Sequence, residues 1–221
     1  MNNNAKILIS DDYKLLNETL HSENGEYGNR NNFLSDQLPK ACISLIKHFD
    51  LESVLDYGCG KGLIVKSIQE QLKGAPISIQ GFDPCVDEFK EPPKPSQFLI
   101  STDVLEHIEP KYINNTLDNI AELTERFCYL VIDLLPAQKR LPNGINAHTM
   151  IAPPGWWVDK LSERFSFGMH IVYEKESNHD LKICPTRKLV FVGAKTPEDM
   201  LPAINLFTGL HIRVPDRLIV K

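Results

Sequence analysis

The feature that most constrains this chain is the nine-residue run Val54-Leu55-Asp56-Tyr57-Gly58-Cys59-Gly60-Lys61-Gly62. Ser53 to Asp56 has the length and apolar content of a short buried strand. Leu63 to Leu72 then places Leu63, Ile64, Ile68 and Leu72 on one side of a helix. Between them, alternate glycines let the backbone turn tightly and leave no Cβ between the main chain and a ligand. The helix start behind the loop offers unpaired N–H groups that suit a carboxylate as well as a phosphate. The spacing argues against two ligand classes. A triphosphate-binding P-loop needs G-x-x-x-x-G-K-[ST], which is not here. A dinucleotide loop needs G-x-G-x-x-G/A, and here the third glycine comes one residue early.

The same alternation of strand and helix continues along the chain. A helix is expected from about Asp11 to Glu23 and another from Leu34 to Phe49, with Tyr27 to Asn32 as the loop between them. After the glycine loop, strands are expected at Ile77 to Phe82, Phe98 to Ser101 and Phe127 to Leu135, the last being the longest apolar run and therefore central. Helices are expected at Tyr112 to Thr124 and Trp156 to Arg164. Phe167 to Tyr173 and Lys188 to Ala194 complete the strands, joined through the polar Lys175 to Asp180 stretch. This pattern implies a single α/β domain over 1–221: N-terminal helices over 1–50 that can act as a lid, a core over 51–195, and a tail over 196–221. The sheet is expected to be parallel, with helices on both faces.

Two further marks lie at strand ends. Gly81-Phe82-Asp83-Pro84 puts a carboxylate 27 residues after Asp56, where it can take both hydroxyls of a ribose. Ile100-Ser101-Thr102-Asp103-Val104-Leu105-Glu106-His107-Ile108 follows the next strand. Together with VLDYGCGKG these segments resemble motif I, the ribose acid and the fourth-strand S-x-x-V-L-E-H motif of the class I S-adenosylmethionine-dependent methyltransferases, over about residues 50 to 195. The resemblance implies a Rossmann-like fold. It implies that Asp56, Tyr57, Gly58, Cys59, Gly60 and Gly62 surround the amino acid end of S-adenosylmethionine, that Asp83 and Pro84 sit at its ribose, and that Thr102, Asp103 and Val104 line the cofactor from the following strand. Phe82 or Thr102 is the expected packing partner of the adenine.

One departure from the family is plain. Members carry a helix and a third strand between the ribose acid and the fourth strand, whereas only residues 84–97 stand there in this chain, with Pro92, Pro93 and Pro95 among them. Three prolines in four positions rule out both a helix and a paired central strand. The sheet is therefore expected to lack its usual third, edge strand, with an extended loop over the gap.

Methyl transfer from a sulfonium is an in-line displacement, so the protein must align the acceptor, exclude water and manage the acceptor's proton. His107 and His148 are the candidate catalytic groups, on loops after the fourth and fifth family strands. The D/E-x-x-E-H arrangement is similar to that of small-RNA 2′-O-methyltransferases and ubiquinone-pathway O-methyltransferases, in which such residues hold a divalent metal. That resemblance makes Asp103, Glu106, His107 and His148 a candidate metal set; the alternative is that Glu106 and His107 only brace the loop. Of Trp156 and Trp157, one should enter the core and the other face the cleft or solvent. Tyr27 and Arg30 are candidate lid residues.

Composition narrows the partners. The net charge is −5, with 42% hydrophobic and 24% charged residues, ordinary for a globular chain and mildly against a polyphosphate-gripping surface. From Lys182 onward, however, seven Lys or Arg face three acids, so that stretch is +4 and the remainder −9. The five cysteines form no C-x-x-C pair, which disfavours a zinc ribbon or disulfide framework and suggests a reduced, cytoplasmic setting. No 18-residue apolar run and no signal-peptide pattern occur. The leading expectation is O-methylation of a small-molecule or sugar-like acceptor, with no membrane partner. Nucleic-acid methylation is the alternative, and a cofactor-binding protein without catalysis is a third reading. The sequence leaves the oligomeric state open.

Overall fold

The computed structural model describes residues 6–23, 38–179, 182–200 and 203–204. Helices α1 (Asp11–Glu23) and α2 (Leu38–His48) precede a six-stranded sheet whose strands are β1 (Ser53–Tyr57), β2 (Ser78–Phe82), β3 (Ser96–Thr102), β4 (Thr124–Asp133), β5 (Phe167–His179) and β6 (Lys182–Ala194). Helices α3 (Leu63–Gln71), α4 (Ile113–Leu123) and α5 (Pro154–Ser162) lie between strands, and a short 3-10 turn covers Leu105–His107.

The strand order is β2-β1-β3-β4-β6-β5. β2, β1, β3 and β4 run parallel, so Tyr57, Phe82, Thr102 and Asp133 all finish at one edge of the sheet. β6 runs antiparallel to both β4 and β5. The wholly parallel sheet read from the sequence is thus corrected: β5 and β6 form one long hairpin, whose connection is too short for the crossover a parallel return requires. Among the described residues no strand lies beyond β2, and residues 84–95 form an irregular covering segment there, as the prolines require.

Alternation along the strands builds two cores. Val54, Phe98, Ile100, Phe127, Tyr129 and Val131 face α2 and α3, where Cys42, Leu45, Ile46 and Ile68 are buried. Leu55, Leu99, Cys128, Leu130 and Ile132 face α4 and α5, against Leu117, Ile120, Trp157 and Leu161. This two-residue period on a doubly covered sheet is the packing logic of the fold. Trp157 is buried, while Trp156 is half-buried against the second core, its ring edge-on to Trp157. A third, smaller cluster joins Tyr13 and Leu20 of α1 to Leu141 and Ala147. Cys42, Cys59, Cys85 and Cys128 are free thiols. No helix among the described residues is long and apolar enough to cross a membrane. Tyr27 and Arg30 lie outside the described residues.

Candidate functional site

The glycine loop is held by its neighbour strand. The Gly58 and Cys59 N–H groups both donate to the Phe82 carbonyl, at 2.7 and 3.1 Å. Gly58 and Gly62 adopt φ of 78° and 70°, in the left-handed region that favours glycine, and Gly62 caps α3. A Cβ on Gly58 would stand 2.3 Å from a methyl of Val104, so the third-strand loop lies directly on the glycine turn. A Cβ on Gly62 would meet the Phe89 ring at 2.6 Å. Phe89, in the segment that replaces the missing strand, therefore closes the outer side of the loop. Sequence reasoning missed it, because an aromatic among prolines and charges carries no periodic signal.

Two carboxylates stand at this edge. Asp56 is 2% exposed, and its Oδ2 has no hydrogen-bond partner. Burial, with Asp83's charge adding to it, pushes its carboxyl up to about 7. A buried acceptor without a donor is the kind of atom a ligand's ammonium satisfies. Asp83 accepts the Gly60 N–H on Oδ2 at 3.0 Å and the Cys85 N–H on Oδ1 at 2.9 Å. Its carboxylate is thereby aimed, with one further lone pair on each oxygen for a hydroxyl donor. The remaining loop positions divide. Tyr57 turns its side chain into the second core, where its hydroxyl donates to Asn119 Oδ1 at 3.0 Å. Phe82 packs on that ring at 5.2 Å and is buried, so its side chain belongs to the core and not to an adenine wall. Cys59 is buried beside Gly81, while Pro84 and Thr102 are half-buried at their strand ends.

The second half of the site lies where β3 and β4 finish. Glu106, His107 and His148 each bring one ligand-type atom within 4.8 Å of the others. The imidazoles meet edge to face, 4.7 Å between centroids. His107 Nδ1 lies 2.9 Å from the Ala147 carbonyl and His148 Nδ1 lies 2.5 Å from the Leu135 carbonyl. A carbonyl only accepts, so each Nδ1 donates, and Nε2 is the nitrogen each ring can offer to a ligand. Glu106 is fully buried and accepts the Asp133 N–H on Oε1 at 3.1 Å. Two imidazole nitrogens and one carboxylate oxygen, with their orientation fixed by backbone partners, fit a divalent first-row ion.

Asp103 stands apart from that trio. It is buried, with φ of 55°, and its Oδ2 takes the Lys188 ammonium at 2.5 Å; Asp133 lies 3.8 Å from the same nitrogen. Asp103 clusters with Glu106 and Asp133, so the four-residue set read from the sequence divides into two groups sharing Glu106. Lys188 and Asp133 were not singled out from the sequence. A lysine opening the apolar run Leu189-Val190-Phe191-Val192 was the available signal.

Helix α1 lies across both halves. The Tyr13 hydroxyl donates to the His107 carbonyl at 2.7 Å, and the Ser10 N–H donates to Glu109 at 2.8 Å. Farther along, His21 is held below the usual imidazole range by burial, with Asp83's carboxylate opposing and Lys61 adding to the effect.

A family model described as a methyltransferase domain matches residues 27–164. No curated protein matches the chain. Several solved structures resemble it. The plantazolicin methyltransferase BpumL in complex with SAH is 12% identical, covering 84% of this chain and 96% of that one, with a TM-score of 0.54. The 1,6-didemethyltoxoflavin-N1-methyltransferase of Burkholderia thailandensis is 14% identical over 87% and 92%, with a TM-score of 0.53. TehB from Haemophilus influenzae is 13% identical over 82% and 67%, with a TM-score of 0.52. Identities this low carry the fold and no more.

Proposed function

The chain belongs to the methyltransferase-domain family, and on that premise we propose that it moves a methyl group from S-adenosylmethionine to a hydroxyl of a small or sugar-like acceptor. The observation that carries the hydroxyl assignment is the gathering of Glu106, His107 and His148 within 4.8 Å at the strand ends beside the glycine loop. A hydroxyl is a poor nucleophile until its proton is taken or its oxygen polarised, and such a cluster can supply that activation, whereas a thiolate arrives already deprotonated.

In this reading the loop from Gly58 to Gly62 cradles the amino acid end of the cofactor. Asp56 accepts from its ammonium, and the two free lone pairs of Asp83 take the ribose hydroxyls. Val104 and Thr102 line the same cleft. The sulfonium methyl points toward Glu106, His107 and His148. Attack by the acceptor oxygen forms the C–O bond as the S–CH3 bond breaks, leaving S-adenosylhomocysteine. The hydroxyl proton passes to water, because the Nε2 atoms of the histidine pair are the ones an ion would occupy. A divalent ion held by Glu106, His107 and His148 would supply Lewis-acid polarisation of that hydroxyl. The carbonyls of Ala147 and Leu135 keep both rings in the tautomer that makes Nε2 the acceptor. Residues 6–23 serve as part of a cover, since α1 reaches from His107 to Asp83 and would restrict water around the reacting atoms.

The test is transfer of labelled methyl from S-adenosylmethionine across polyols, phenols, nucleosides and amines, with EDTA and with added Mn2+ or Mg2+. Label in base-stable ethers, lost with EDTA and restored by Mn2+, supports the reading; label on amines, or activity indifferent to EDTA, refutes it. The +4 stretch from Lys182 onward favours an RNA ribose as the second acceptor. That reading requires product formation to fall steeply with salt.

A further inference from the structure

We propose that Lys188 is a tethered cation that fills an acidic cup beside the candidate metal trio and keeps Asp103 out of metal ligation; the inference rests on the functional reading above for the trio, but not for the cup. Asp103, Glu106 and Asp133 bring three carboxylate oxygens within 4.8 Å of one another, and all three groups are buried or half-buried. Carboxylates at that spacing repel one another in a poorly solvated site, and a cation among them relieves the repulsion. Lys188 supplies it. Its side chain is 6% exposed, its ammonium lies 2.5 Å from Asp103 Oδ2 and 3.8 Å from Asp133 Oδ2, and its Cα stands opposite Asp133 across the β4–β6 ladder.

The backbone supports this assignment. Asp103 is held at a φ of 55°, unusual outside glycine, with its N–H donated to the Val131 carbonyl at 2.8 Å. The turn therefore aims the Asp103 carboxylate at β6. Glu106 is shared between the cup and the histidine pair, so a fixed positive charge on one side of it leaves the other side to face His107 and His148. Lys188 is a positioning residue: it holds Asp103 and Asp133, and it repels a second divalent ion from the carboxylates.

Removing the ammonium should convert the cup into a metal site. The experiment measures Mn2+ bound per chain, by electron paramagnetic resonance and calorimetry, in the full chain and in Lys188→Met, Lys188→Arg and Lys188→Met/Asp103→Asn. Lys188→Met is expected to bind one more Mn2+ than the full chain, or the same number about ten-fold or more tightly, from loss of a charge a few ångströms away. Lys188→Arg should keep the starting stoichiometry, and Asp103→Asn should cancel the gain. The same gain should persist on a His107→Ala/His148→Ala background, because the cup uses neither ring. If the unaltered chain binds no Mn2+ but Lys188→Met does on that background, the cup assignment stands and the histidine metal site fails. Unchanged Mn2+ binding in folded Lys188→Met overturns the proposal and leaves the histidine site untouched. If Lys188→Met does not fold in chelator, Mn2+ should restore its cooperative melting transition, and no restoration also overturns it.

Discussion

The contact between Gly58 and Val104 gives the sharpest test of how the loop is built. In Gly58→Ala the new methyl would lie 2.3, 2.6 and 3.0 Å from Val104 Cγ2, Cγ1 and Cβ. The loop cannot retreat easily, because the Gly58 and Cys59 N–H groups share the Phe82 carbonyl. Two costs add. An alanine at a φ of 78° loses about 1–2 kcal/mol against its preferred conformations. Forcing a methyl into packed surroundings costs about 1–3 kcal/mol more. The sum, about 2–5 kcal/mol, is a large part of the roughly 5–15 kcal/mol that holds a domain folded. Gly58→Ala/Val104→Ala should recover the packing part and leave the backbone part. Urea unfolding of both variants and of Val104→Ala alone, read at constant m value, separates them as a double-mutant cycle. A Gly58→Ala loss below about 0.5 kcal/mol, or no coupling to Val104, would refute the close approach.

Other outcomes follow from the same geometry. Asp56 is held neutral in the ligand-free fold up to about 7, while an unfolded aspartate ionises near about pH 4. The folded state then binds the extra proton, so ligand-free stability should fall as pH rises between those values. A cofactor ammonium favours the charged form, so S-adenosylhomocysteine affinity measured by calorimetry should rise as pH passes through about 7 and be flat in Asp56→Asn; a wild-type affinity that falls over this range contradicts the assignment. His148→Ala should weaken Mn2+ binding by about ten-fold or more while leaving S-adenosylhomocysteine affinity unchanged. Trp157→Ala, at a side chain with no exposure, should cost about 3–5 kcal/mol in urea unfolding, and half-buried Trp156 clearly less. Deleting residues 1–32 should weaken S-adenosylhomocysteine binding if α1 covers the cleft; unchanged affinity would remove the cover.

The strand–loop–helix frame of the glycine loop was legible because it is written in local sequence. Val54 to Gly62 combines a strand end, a turn and a helix start within nine residues, and the prolines after Asp83 announce the absent edge strand. The reversal of β6 was harder to read. Its apolar residues satisfy a buried strand in either direction, and the polar stretch from Lys175 hides that β5 runs on to His179, leaving only two residues before β6 begins at Lys182. The fate of Asp103 was not legible at all. Its neighbours in sequence place it with Glu106 and His107, but its partner is Lys188, 85 residues away, and the pairing exists only because β6 lies beside β4. Phe82 misled for the opposite reason: an aromatic at a strand end beside the ribose acid reads as a cofactor wall, yet Tyr57 claims it for the core.

The central claim is that the transferable methyl faces Glu106, His107 and His148. A crystal structure with S-adenosylhomocysteine and Mn2+ tests it most directly. The cofactor's amino acid end should lie on the Gly58–Gly62 loop, its sulfur turned toward the trio, with an anomalous manganese peak bonded to all three side chains. A sulfur directed away from His148, or no manganese at Glu106, would contradict it.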